Sequence, residues 1–141
     1  MNLILYVHQD ASEKGDHFKR IIEQNFKKTE TTTFRTFNAF KARLNQPHIY
    51  DKEIFILFAD SKNRLTELLK LMDLMDDKRI IVILPDQSKA TLSLALKFFP
   101  RFFTPISDIY TDLCQVLTKM MDKEKKNTNI NTGGIKDVSG S

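Results

Sequence analysis

The chain has 141 residues, of which 41% are hydrophobic and 28% charged, the balance of one ordinary globular domain with its own core and no room for a second. Its net charge is +4, but the basic residues are interleaved with acids, as in DKEKK at 122–126, so a nucleic-acid partner is not expected. A single cysteine, Cys114, excludes an internal disulfide and a cysteine-built zinc site. No apolar run approaches the roughly 18 to 20 residues of a membrane span, and MNLILYVHQD lacks the n-region and cleavage site of a signal peptide, so a cytoplasmic protein without a membrane partner is expected.

Leu3 to Val7 (LILYV) is apolar on both faces and short, which predicts a central strand of a parallel sheet. Asp10, Ala11 and Ser12 offer a cap for a first helix ending near Lys28, with Phe18, Ile21, Ile22 and Phe26 on one stripe. Thr31 to Phe37 is rich in β-branched and aromatic residues and predicts a second, outer strand. Asn38 is placed to cap a short second helix through Arg43, carrying Phe40 and Leu44, before Asn45, Gln46 and Pro47 break it.

Ile54 to Phe58 (IFILF) predicts another central strand. Asp60 and Ser61 then cap a third helix with an inner stripe of Leu65, Leu68, Leu69, Met72 and Met75, ending at DDKR. Ile80 to Leu84 (IIVIL) is a fourth strand, stopped by Pro85 and Asp86. Gln87 to Phe99 predicts a fourth helix buried through Leu92, Ala95, Leu96 and Phe99, and Arg101 to Thr104 a short fifth strand ended by Pro105. Ser107 caps the last helix, with Ile109, Tyr110, Leu113, Val116, Leu117 and Met120 on its stripe. The domain is expected to span 1–126, with 127–141, poor in apolar residues, a disordered tail.

Five strand-then-helix units with right-handed crossovers require a parallel sheet covered by helices on both faces. The expectation is an α/β, flavodoxin-like three-layer sandwich whose five-stranded parallel sheet runs in the order 2-1-3-4-5. Ligands of such sheets sit beyond the carboxyl ends of the strands, here after Val7, Phe58 and Leu84.

The short second helix, then EIFILFAD, then ALKFFPRFFTPISDIYTDLCQVLTKM give the chain an outline that resembles a response-regulator receiver domain over residues 2 to 122. The resemblance implies an acidic pair for magnesium after strand one, an aspartate acceptor ending strand three, a Ser or Thr ending strand four, and a lysine before the proline after strand five. A hard cation wants carboxylate oxygens, and the acceptor must be a nucleophile. In this sequence the positions fall on His8 and Gln9, Phe58, Leu84 and Thr104, and the family's aromatic switch position falls on Arg101. The implied function is therefore a degenerate one: a pseudo-receiver in signal transduction, not an enzyme, working through a protein partner or as a homodimer through its fourth and fifth helices without being phosphorylated.

Asp10 and Asp60, with His8, could also supply two carboxylates and an imidazole to a divalent metal, although each aspartate fits a helix cap as well. The same strand-end residues would serve the alternative reading, a small flavodoxin-like enzyme or ligand-binding protein. His8 lacks a hydroxyl or thiol nucleophile at a recognisable spacing, His17 and His48 read as surface residues, and Cys114 as a small buried hydrophobe. Gly15, Gly133, Gly134 and Gly140 form no phosphate loop, so no nucleotide, flavin or other cofactor is expected. Phe98, Phe99, Phe102 and Phe103 are mostly core, but Phe98 and Phe99 point about 100° apart on a helix, so one ring is left beside Arg101. The resemblance implies that the face of helix four, strand five and helix five meets partners, and Phe98, Arg101 and Tyr110 are its candidate residues.

Overall fold

Strands that are apolar on both faces can be satisfied only between two layers of helices, and three segments here are of that kind. In the computed structural model, which describes residues 2–46 and 52–132, with side chains as far as 123, these are β1 (Asn2–Val7), β3 (Glu53–Phe58) and β4 (Arg79–Leu84). All six residues of β3 are buried. The threonine-rich β2 (Glu30–Phe34) and the short β5 (Phe102–Pro105) are half-exposed and form the edges. The sheet is parallel throughout in the order β2-β1-β3-β4-β5, a flavodoxin-like arrangement, with Leu5 beside Ile56 and Ile56 beside Ile81 across its centre.

Alternation along the strands divides the core in two. One face presents Ile4, Tyr6, Phe55, Leu57 and Val82 to α2 (Phe37–Leu44), α3 (Lys62–Leu69) and α4 (Lys89–Leu96). The other presents Leu5, Val7, Ile56, Phe58 and Ile83 to α1 (Ser12–Asn25) and α5 (Thr111–Thr132). Gly15 lets α1 lie close on β1: a Cβ there would stand 2.6 Å from the Ala11 Cβ and 2.9 Å from a Val7 methyl. None of the helices among the described residues is long and apolar enough to cross a membrane.

Several boundaries differ from the sequence reading. β2 ends at Phe34, and Thr36 rather than Asn38 caps α2, its hydroxyl accepting from the Ala39 N–H at 3.2 Å. The third helix stops at Leu69 and gives way to a 3-10 turn over Met72–Met75. α4 is only two turns long, begins after Ser88, and buries Thr91 and Ala95, with Phe98 following, whereas Leu96 and Phe99 are 52% and 87% exposed. The cause is visible in KATLSLAL, whose apolar residues surround the helix and leave its inward face to be chosen by packing. β5 extends over Pro105, which an edge strand tolerates. Ile109 is 72% exposed, in the turn that precedes α5, because the Ser107 hydroxyl caps that turn at Ile109 N–H rather than the helix itself. The backbone of α5 is helical to Thr132, into the segment expected as a tail. Residues 133–141, and likewise His48, lie outside the described residues.

Candidate functional site

The loops after β1, β3, β4 and β5 meet at the carboxyl edge of the sheet, where the fold places ligands. Phe58, at the end of β3, is fully buried, its ring 5.2 Å from that of Phe18, and Leu84, at the end of β4, is buried on the opposite face. Thr104 lies within β5 and is half-buried.

His8 leaves β1 half-buried and caps the turn Gln9–Ala11, its Nδ1 accepting from the Asp10 N–H at 3.1 Å. The Asp10 carboxylate is 3.6 Å from Nδ1 and points into solvent. Asp10 therefore does not cap α1; the residue before that helix, Ala11, makes no side-chain cap bond, and Ser12 enters it with φ 54°.

Asp60 is no cap either. Ser61 caps α3, accepting from the Arg64 N–H at 3.1 Å, while the Asp60 carboxylate accepts from Arg64 Nε at 2.9 Å. Arg64 also donates to Glu67 at 3.1 Å. Burial works against the Arg64 charge, yet the bonds to Asp60 and Glu67 hold its pKa above the ordinary value. The guanidinium thus answers two carboxylates in a half-buried setting, where Asp60 has little of its charge left to offer a cation.

Beneath this triad lies the Tyr6 phenol, buried and with no hydrogen bond of ordinary geometry. Burial and then the negative charge of Glu67 push its pKa up to about 12, with Arg64 offsetting part of the effect. After β4, Asp86 accepts from the Ser88 N–H at 2.9 Å, and the Ser88 hydrogen bonds hold its carboxyl below the usual range. His8, Asp10 and Asp60 are not brought together: among the described residues no three His, Cys, Asp or Glu side chains form a group that could hold a metal.

Sequence reasoning missed the Asp60, Arg64, Glu67 triad, although its i,i+4 and i,i+3 spacings are those of neighbours on a helix face. Tyr6 was hidden inside an apolar run. His17 does more than face solvent, its Nε2 lying 2.8 Å from the Asp108 carbonyl oxygen and tying α1 to the β5–α5 loop beside a cavity of about 840 Å³ walled by Lys14, Arg20 and Ser107. Cys114 is half-buried at the edge of the α5 stripe, and burial raises its thiol pKa.

Of the three residues expected on a partner surface, only Arg101 is exposed. Phe98 is 4% exposed and belongs to the core between β4 and α4. Tyr110, equally buried, packs edge-on to Phe18 with centroids 5.0 Å apart and accepts from the Ser107 N–H at 3.0 Å. The ring left beside Arg101 is that of Phe99. No protein-family model, no curated protein and no solved structure matches the chain.

Proposed function

We propose that the chain is a phosphorylation-independent pseudo-receiver, a non-catalytic module that acts in cytoplasmic signalling or regulation by binding another protein surface. The observation that carries this reading is the end of β3, where a receiver would place its acceptor carboxylate and this chain buries Phe58. Two further features support it. The nearest carboxylate, Asp60, is already held by Arg64, and the loop after β1 begins with His8 and Gln9 where a magnesium ion would need acids. The polarity that such a fold spends on chemistry is absorbed internally, while apolar surface is left outside at Phe99.

The test is incubation with labelled acetyl phosphate and magnesium, followed by mass spectrometry of the intact chain. No phosphoryl uptake is expected, and no beryllofluoride-induced rise in Tm, since a ligand of the folded state alone would raise it. Stoichiometric labelling of Asp60 would overturn the proposal. A screen of metals, nucleotides and phosphate by the same thermal readout addresses the ligand-binding alternative, with a saturable rise in Tm as the result in its favour.

A further inference from the structure

We infer that the chain pairs with a second copy of itself across a two-fold axis at the amino-terminal edge of β4 and β5, Phe99 of each copy seated in a groove of the other. This deepens the interaction-module reading by naming the partner, and it concerns the end of the sheet opposite the strand-end loops.

Phe99 follows α4 and is 87% exposed, beside a Phe98 that is 4% exposed. Its backbone has φ 50°, a left-handed conformation that a residue with a bulky side chain adopts at a cost and that glycine or asparagine takes freely. The chain thus holds a large apolar ring in water at a position where a smaller residue would relieve both burdens. A ring kept under those terms is suited to cover by a partner.

The cover is present on the same surface. Phe99 itself flanks a groove of about 310 Å³ whose other apolar walls are Met72, Met75, Ile80 and Phe98. Methionine side chains adapt to an inserted aromatic ring and make favourable sulfur contacts with it. The surface therefore carries a projecting ring and a matching recess side by side, which is the self-complementarity a two-fold interface requires.

Charge says the same. The groove is bordered by Asp73, Asp76, Asp77 and Lys78 from the segment leading into β4, a net acidic stretch, and by Lys97 from the end of α4, with Arg101 just beyond Phe99. Among the described residues none of these six is in an ion pair. A two-fold axis between the two Phe99 rings brings the basic end of one copy opposite the acidic end of the other, twice over. Leu96, 52% exposed on the last turn of α4, extends the apolar centre.

Sedimentation velocity on the full chain, titrated from micromolar to millimolar concentration at low and high salt, is the first measurement. A species of twice the 16.4 kDa chain mass is expected, weakened by salt. Phe99→Gly should weaken self-association roughly tenfold or more, the scale of an interface hot spot, while its Tm holds or rises because the left-handed strain is relieved. Two charge variants then test the geometry: Lys97→Glu with Arg101→Glu, and Asp73→Lys with Asp76→Lys. Each should be monomeric alone, and the two mixed should pair, because both contacts become attractive only in the mixed dimer. A parent chain monomeric throughout, a Phe99→Gly chain that pairs as tightly as the parent, or charge variants that fail to pair when mixed would each overturn the inference. None of those results touches the phosphoryl-transfer test, so the two readings fail separately.

Discussion

At the carboxyl edge of the sheet the charges nearest the core are answered within a few residues, Asp60 by Arg64 and Arg64 again by Glu67, and the exposed Asp86 is held by the Ser88 N–H. The amino edge is built otherwise. Beneath β3, Glu53 is buried and paired with Arg43 of α2, but beneath β4 and β5 the aspartates 73, 76 and 77, Lys97, Arg101 and the Phe99 ring all face solvent. In a parallel α/β sheet the carboxyl edge is the usual place for chemistry. Here the carboxylate nearest the end of β3 is already paired, while the opposite edge carries the left-handed, exposed Phe99 ring beside charges unpaired among the described residues. The proposed self-association draws on that opposite end, where the fold's habit would not place a contact.

The strongest way to break this comparison is to put back what the carboxyl edge lacks. Phe58→Asp restores a carboxylate to the end of β3, but at a site with no exposure and no cation, between Phe18 and the buried end of β1. An unpaired buried charge of this kind costs on the order of 4–5 kcal/mol or more, enough to unfold an ordinary domain. Loss of the cooperative thermal transition by circular dichroism is expected. Asp73→Asn at the other end should shift stability by no more than about 0.5 kcal/mol, since it touches only solvent. A folded Phe58→Asp chain that takes up phosphoryl groups would show the carboxyl edge to be open after all.

The buried pair at the amino edge comes next in size. Arg43→Ala leaves the Glu53 carboxylate, 1% exposed, without its guanidinium, at a cost of about 3–5 kcal/mol in urea denaturation. Replacing both, Arg43→Met with Glu53→Leu, should recover most of that loss, because two charges no longer have to be desolvated. If the double variant is as unstable as the single one, the pair stabilises through more than its mutual attraction.

Much of this was legible in the sequence, for reasons that particular residues make plain. LILYV, IFILF and IIVIL are too short and too uniformly apolar to be anything but buried strands, and the helical stripes between them force the parallel order. The rotation of α4 was not legible, since Leu92, Leu94 and Leu96 offer apolar faces in several directions and only the small Thr91 and Ala95 decide it by packing inward. Arg43 and Glu53 lie on different elements and are joined only by the tertiary fold. The left-handed Phe99 has no sequence signature, because the residues that announce that conformation are glycine and asparagine. For the same reason the sequence pattern put Phe98 and Tyr110 on a partner face, whereas the core had already claimed both rings.

Tyr6 tests the same edge on the smallest scale, because its hydroxyl is buried beneath the triad without a hydrogen bond of ordinary geometry. Its phenol ionises near 10 in the unfolded chain and near about 12 in the folded one, so on raising the pH the unfolded state loses its proton first. The stability attached to this shift is complete below pH 10 and is lost progressively as pH rises toward 12, on the order of 2–3 kcal/mol in all. Tyr6→Phe removes the titrating group and keeps the ring against Phe40, 5.0 Å away. With only a poorly aligned Arg64 contact to lose, the variant should match the parent at pH 7 within about 1 kcal/mol and surpass it in alkaline solution. Urea midpoints of both chains measured from neutral to alkaline pH decide the matter: parallel curves would mean that Tyr6 ionises as freely in the folded chain as in the unfolded one, and that the carboxyl edge is wetter than its closed charges imply.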